Sequence, residues 1–337
     1  IDSTGDFLGL RMSATYLNKV LYIVGTDGST SRKKVVYWDT TTSAHVTADM
    51  GAAPALSESS GSDGYVFVID NTNKQINRFD LGGKNIVPVE SGDTSTSDYQ
   101  DVVWDSTNEK LIFSDNATQD IYTADADGSN KTVLISGSNN IKALCIDNAN
   151  GHLFVLWNKT GNEVIRYDAV DGGNATNIVN IGSGDNLSRL AINVADEYAY
   201  VINVTNTRIE LYDYGAGAAT SPTAHTGSQF ASGSPIDIVF CTANNKLYYT
   251  WNTPNPNQIG EYDDLLAGTT TVITNATDFW AISVDNEREH LYYSQGFTLY
   301  RADLDGTRIT EVTYSPFYKG SNSIRGIAVQ EGPTDSA

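Results

Sequence analysis

The sequence predicts an all-β chain closed into a β-propeller, with seven four-stranded blades as the expected ring and six or eight as the alternatives. Three observations carry the prediction. The first is a recurrence: a large aliphatic residue is followed four positions later by Asp at Val35 to Asp39 (VVYWD), Ile76 to Asp80, Ile121 to Asp125, Val164 to Asp168, Ile209 to Asp213, Ile259 to Asp263 and Leu299 to Asp303. Successive aspartates lie about forty to fifty residues apart, the period at which repeats mean propellers or solenoids. The second is local pattern: short alternating runs rich in aromatic and β-branched residues are separated by Asn, Asp and Gly, as in strands joined by tight turns. The third is the absence of any long helical periodicity in a chain with only 8 prolines. One such unit cannot bury both faces of its sheet, whereas neighbours stacked in a ring bury each other. Residues 1–330 are therefore expected to form a single domain, followed by a polar tail at 331–337, although 337 residues alone would suggest two domains.

Taken in order, residues 1–6 are a polar lead-in, Phe7 to Met12 (FLGLRM) is a candidate inner strand, and Val20 to Val24 is the next. A polar loop at 25–33 precedes VVYWD. The second repeat holds YVFVID at Tyr65 to Asp70, and its first strand, near Ala55 to Glu58, is the weakest of the set. The third repeat has the full pattern: YQDVVWD at Tyr99 to Asp105, then strands at Lys110 to Ser114, Asp120 to Asp125 and Thr132 to Ile135. The fourth has IKALCID from Ile141 and LFVLW from Leu153; the fifth has LSRLAIN from Leu187, AYVIN from Ala199 and a loose segment at 215–234. The sixth has IDIVFC from Ile236 and LYYTW from Leu247, and the seventh has FWAISVD from Phe279 and LYYSQ from Leu291. Last comes SIRGIAVQ, Ser323 to Gln330, which reads as one more copy of a first strand. A C-terminal strand that completes an N-terminal blade closes a ring and removes its exposed edge. Either it replaces FLGLRM in the first blade, or the ring holds a different number of blades.

The formal net charge of −20 argues against nucleic acid and anionic membrane surfaces, which draw their affinity from clustered Lys and Arg. No run of about 18 apolar residues occurs, so no membrane insertion is expected. The chain starts at Ile1, as a processed secreted chain or an excised piece would. Cys145 and Cys241 fall in first strands of the fourth and sixth repeats, which a ring keeps apart, so both are expected as buried free thiols. Asn-x-Ser/Thr sequons at Asn116, Asn130, Asn158, Asn174, Asn186, Asn203 and Asn275 are candidate glycosylation sites.

LIFSD followed by IYTADADGSNKTVLI, and LYYSQ followed by LYRADLDGTRITEV, resemble the low-density lipoprotein receptor class B repeat, the YWTD propeller. That repeat pairs a Tyr-Trp-Thr-Asp strand with one ending in Leu-Asp-Gly-Ser. The third and seventh repeats carry the resemblance, and the others share its period. The aspartate ending the YWTD strand is kept as Asp70 and Asp115 but stands as Gly25, Trp157, Asn203, Trp251 and Gln295 elsewhere. The family typically closes with six blades. The resemblance implies the propeller fold, extracellular placement and protein binding.

Two sets of residues are candidates for function. Trp157 and Trp251, with Asn158 and Asn252 after them, end a strand where the family has Asp, and each leads into an enlarged loop. Exposed aromatics there would anchor a protein or glycan partner, and the competing reading is packing between blades. Asp101 and Asp237 occupy one position of the inner strand, with Arg189 at the same position of the fifth repeat, and could face the central channel and hold a cation. The acidic turns DADGSN and DLDGT lack the six oxygen ligands and distal Glu of a calcium loop and read as hairpin turns, and the four histidines do not converge. No catalytic motif is present. The function expected is therefore interaction: a secreted or cell-surface propeller, without a cofactor, presenting loops to a protein or glycan partner, with self-assembly into a larger structure as one form of it. The alternative is a calcium-dependent propeller hydrolase of lactonase or esterase type, using Asp101 and Asp237.

Overall fold

The computed structural model describes the backbone of 16–17, 20–26, 33–39 and 44–49, and residues 64–330 apart from 82–86, 92–96, 138–139, 159–160, 183, 216, 227–229, 231–234, 253–255, 276, 297 and 313–323. FLGLRM, the Ala55 to Glu58 strand and the polar tail lie outside the described residues. The chain divides into two compact units, Ile1–Gly61 and Ser62–Ala337. In the first, β1 (Tyr16–Leu17), β2 (Val20–Thr26), β3 (Lys33–Asp39) and β4 (Ala44–Asp49) form an antiparallel sheet in that order.

The second unit is a ring of six four-stranded sheets. Its inner strands are β8 (Tyr99–Asp105), β12 (Ile141–Asp147), β16 (Leu187–Asn193), β20 (Pro235–Cys241), β24 (Phe279–Asp285) and β28 (Ile324–Val329). Each of these contacts the next around the ring, and β28 packs against both β24 and β8, so the circle is complete without the first unit. The expected seventh blade is thus corrected. Strand β28 pairs with β5 (Tyr65–Asp70), matching Ile324 to Asp70 and Val329 to Val66, and supplies the inner strand that the second repeat lacks. Blade one is β28, β5, β6 (Gln75–Asp80) and β7 (Val87–Ser91), and blades two to six follow in chain order.

Second strands run as near-continuous apolar stretches because a blade on each side covers both of their faces. In β13 (His152–Asn158) and β21 (Lys246–Trp251), the five residues after the first are all buried. Aromatic rings fill the gaps between blades: Phe67 stacks on Trp104 of blade two at 5.4 Å, and Tyr200 of blade four on Phe240 of blade five at 5.6 Å. Such pairs contribute about 0.5–1.5 kcal/mol each beyond burial. At the hairpins that follow β5, β8 and β12 the turn is fixed from within. Asp70, Asp105 and Asp147 each accept the backbone N–H groups two and three residues on, while Asn73, Asn108 and Asn150 donate their amides to the second carboxylate oxygen. The next residue, Lys74, Glu109 or Gly151, then takes the positive φ that a three-to-five-residue hairpin needs.

Every inner strand slips register near its start, between Tyr99 and Val102 in β8, Leu187 and Leu190 in β16, and Ile324 and Ile327 in β28. A bulge re-aims the side chains it contains. In β8, β20 and β24 the displaced amides of Asp101, Asp237 and Ala281 donate to the hydroxyls of Ser114, Thr250 and Ser294 on the second strand. These bulges deliver the residues of the channel.

Candidate functional site: the central channel

The bulge position carries Gly326, Asp101, Ala143, Arg189, Asp237 and Ala281 around the ring. The two aspartates tie neighbouring blades. Asp101 Oδ1 accepts the Val102 N–H and Oδ2 the Leu144 N–H of blade three, both at 2.9 Å. Asp237 repeats this one half-turn on, with Ile238 at 3.0 Å and Ile282 of blade six at 2.9 Å. Arg189 of blade four crosses the channel. Its Nε lies 3.1 Å from Asp237 Oδ1, its Nη1 donates to the Lys142 and Ser188 carbonyls, and its Nη2 donates to the Arg325 carbonyl of the opposite blade at 3.2 Å. One side chain therefore links four of the six blades at the axis. Gly326 makes room: a Cβ there would stand 3.2 Å from Asp101 Oδ1 and 3.1 Å from Ile69.

Burial raises both carboxyl groups above the usual range. Arg189 and the backbone amides pull Asp101 back down. Asp237 is pushed up to about 7 by burial, against the pull of Arg189 and with Asp101 adding to the rise. Beyond this crossbar, towards the ends of the inner strands, a cavity of about 650 Å³ is ringed by Val103, Cys145, Ala191, Val239, Ser283 and Ala328, one from each blade. Cys145 is a thiol pushed up to about 12 chiefly by burial, and Cys241 is buried in blade five, so the two form no disulfide with each other.

This geometry does not suit calcium. Such a site takes six or more oxygens. Here all four carboxylate oxygens of Asp101 and Asp237 already accept backbone amides, with a guanidinium beside them. Among the described residues no group of three or more His, Cys, Asp or Glu converges.

The two tryptophans are core residues rather than exposed anchors. Trp157 is 1% exposed and packs with Ile112, Ile121 and Ile141 between blades two and three. Trp251 is 9% exposed and meets Phe230 edge-on at 5.0 Å. Both end a second strand, which is covered on both sides, so an aromatic there is drawn inward. Asn252 clamps blade six: its Oδ1 accepts the Phe279 N–H at 2.7 Å and its Nδ2 donates to the Phe279 carbonyl. Asn158 is half-buried and its backbone N–H closes on the Asn140 carbonyl at 3.0 Å. Of the sequons, Asn130, Asn174, Asn186 and Asn275 are exposed, while Asn116 is half-buried and accepts the Ile141 N–H. Asn203 is fully buried and donates to Glu210, out of reach of a modifying enzyme in the folded chain.

Sequence reading found Asp101, Asp237 and Arg189 by their shared position. The crossbar they form, and the part played by Ser114, Thr250 and Ser294, depend on the bulge, which strand alternation does not reveal.

No family model matches the chain, and no curated protein matches it in sequence. Its fold has clear counterparts among solved structures. A chain of a nidogen–laminin complex matches with a TM-score of 0.63 at 11% identity, over 79% of this chain and 97% of that one. TolB from Acinetobacter baumannii matches with a TM-score of 0.61 at 12% identity, over 92% and 82%. A protein of unknown function from Desulfotomaculum acetoxidans matches with a TM-score of 0.51 at 14% identity, over 74% and 78%. At such identities the likeness establishes the fold: residues 62–337 form a six-bladed β-propeller.

Proposed function

We propose that the chain is an interaction propeller, secreted or displayed at the cell surface, that presents one face to a protein or glycan partner. The observation that carries this reading is the crossbar. In a propeller enzyme the axis holds the reacting groups, whereas here the axial carboxylates and Arg189 are consumed in holding blades together. Function is then left to the faces. The nidogen chain, solved in complex with laminin, supports a protein partner by analogy of fold alone.

The test is a binding screen against arrayed extracellular proteins and glycans, with hydrogen exchange mapping the contact. Protection confined to the face where the inner strands begin is the expected result. The hydrolase reading is tested beside it by thermal melting of chelator-stripped protein with calcium and with magnesium. A bound ion raises the midpoint by linkage, and no calcium-specific rise is expected. A large one, together with turnover of lactones or esters, would replace the interaction reading.

A further inference from the structure

The six blades fall into two similar halves, one to three and four to six. YVFVID and TNKQINRFD of blade one answer to YAYVIN and TNTRIELYD of blade four. The side chains that clip blade two to blade three recur between blades five and six. Asp101 and Asp237 accept the Leu144 and Ile282 amides, and Asn116 and Asn252 accept those of Ile141 and Phe279. In the other direction Asn148 and Asn286 accept the Ser106 and Thr242 amides. The ion pairs of Lys110 with Asp125 and Lys246 with Glu261 repeat as well. At the axis one guanidinium takes the space of two, so Arg189 of the second half answers to Gly326 of the first.

The likeness is uneven along the inner strands. Just before the bulge residue the halves have parted: Gln100 answers to Ile236, Lys142 to Trp280 and Ser188 to Arg325. Two positions past it they agree: Val103 with Val239, Cys145 with the nearly isosteric Ser283, and Ala191 with Ala328. These six side chains are the wall of the cavity of about 650 Å³. The clips between blades do not use them, so blade packing through those bonds does not dictate their size. Larger side chains would fill the void and supply contacts that its lining lacks. Both halves keep it open instead, as a bound molecule would require.

The geometry points to a binding site for a small, uncharged aliphatic molecule, of the class of a medium-chain alcohol, in the channel beyond the crossbar. The cavity lies within the range of about 300–1,000 Å³ that small-molecule sites occupy. The three acids that touch it, Asp101, Asp147 and Asp237, already accept backbone amides, which leaves no counter-charge for an ion. The wall itself offers Val and Ala with one thiol and one hydroxyl, a lining suited to an aliphatic chain. Ser106 and Thr242 are exposed at its outer end and are placed to meet a polar head. This site lies at the other end of the inner strands from the face offered to a partner, and it does not depend on that reading.

The test uses octanol as probe on the intact protein, with octanoate and octylammonium as its charged counterparts. Octanol should raise the melting midpoint by linkage, and the charged counterparts should not. Cys145 reports on the site directly, because its thiol lies in the wall while Cys241 is fully buried. Octanol at about ten times its Kd should slow labelling of Cys145 by methyl methanethiosulfonate about tenfold, read by peptide mass spectrometry. Ala191→Leu places its added atoms in the cavity and should weaken octanol about tenfold or more. Ala328→Val, a smaller change in the other half, should weaken it in the same direction and serves where Ala191→Leu does not fold. An unchanged midpoint with unslowed labelling overturns the site. Octanol binding that both variants leave intact overturns it as well, by placing the probe elsewhere, and equal protection by octanoate or octylammonium overturns the uncharged class of ligand.

Discussion

Asp237 answers to two opposing demands. Its oxygens accept two backbone amides and face Arg189, which favours charge, while burial at the axis raises its pKa to about 7. With the folded pKa above the unfolded value, the folded chain keeps a proton that the unfolded chain has released between about pH 4 and 7. Stability from this group is therefore greatest below about pH 4, falls as pH rises to about 7, and is level above that. Asp237→Asn removes the titration. The stability of the wild type relative to Asp237→Asn should fall by roughly 3–4 kcal/mol between pH 4 and 8, at about 1.4 kcal/mol for each pH step over which the two states differ by a proton, read from urea unfolding at each pH. A difference that rises with pH would mean that Arg189 dominates and the carboxyl is charged throughout. Asp147 has a simpler part. It accepts the Ala149 and Asn150 amides in a hairpin turn, so Asp147→Ala should cost about 1–2 kcal/mol, and Asp147→Asn, which keeps an acceptor, clearly less. The repeated aspartates at the ends of the third strands are of the same kind. Asp213 and Asp263 accept amides of their following turns, while Asp125 and Asp303 take side chains across theirs.

At the scale of the element, β28 decides the count of blades. It pairs with β5 across more than two hundred residues of intervening chain and completes the blade that begins the ring. Deleting 324–337 removes the inner strand of blade one, uncovers the β5 edge and breaks the contacts of β28 with β8 and β24. The shortened chain should lose its cooperative melting transition and aggregate through the open edge, as seen by calorimetry and light scattering. A monomer with an unchanged midpoint would show that the ring holds without its closure. The same strand marks the limit of what the residues reveal. Alternation with period two makes SIRGIAVQ a strand and the weak run near Ala55 shows which repeat needs one, but pairing between distant edges leaves no mark in either segment. VVYWD repeats the blade pattern as well as any other stretch, yet β3 lies in a separate sheet. Local pattern specifies a strand and a turn, and membership of the ring is settled by which faces find partners. For that reason, of the two readings the sequence left open for Trp157 and Trp251, exposed anchor or packing between blades, the second holds, since the second strand has no solvent face.

At the scale of the whole molecule, the ring closes within 62–337 and every strand of its six blades lies there. The isolated 62–337 chain should therefore fold alone, with the same β-sheet circular dichroism per residue and a single sharp melting transition. An unfolded or aggregated product would show that Ile1–Gly61 is needed to reach the fold. The charge supplies a second reading on the same sample. A net charge of −20 leaves mutual repulsion among exposed carboxylates that only the folded state concentrates, and salt screens it over about 8 Å at physiological ionic strength. Raising sodium chloride from low to physiological strength should raise the midpoint of the full chain. The crossbar is little affected by the same salt, because Arg189 and Asp237 are 17% and 10% exposed and reach each other at 3.1 Å with little water between. Arg189→Met should accordingly lower the midpoint by a similar amount at low and high salt, since it strips Asp237 of its counter-charge and the blades of three carbonyl contacts. A loss that salt erased would assign Arg189 to the exposed electrostatics of the mouth, and the blades would then be held at the axis by the two aspartates alone.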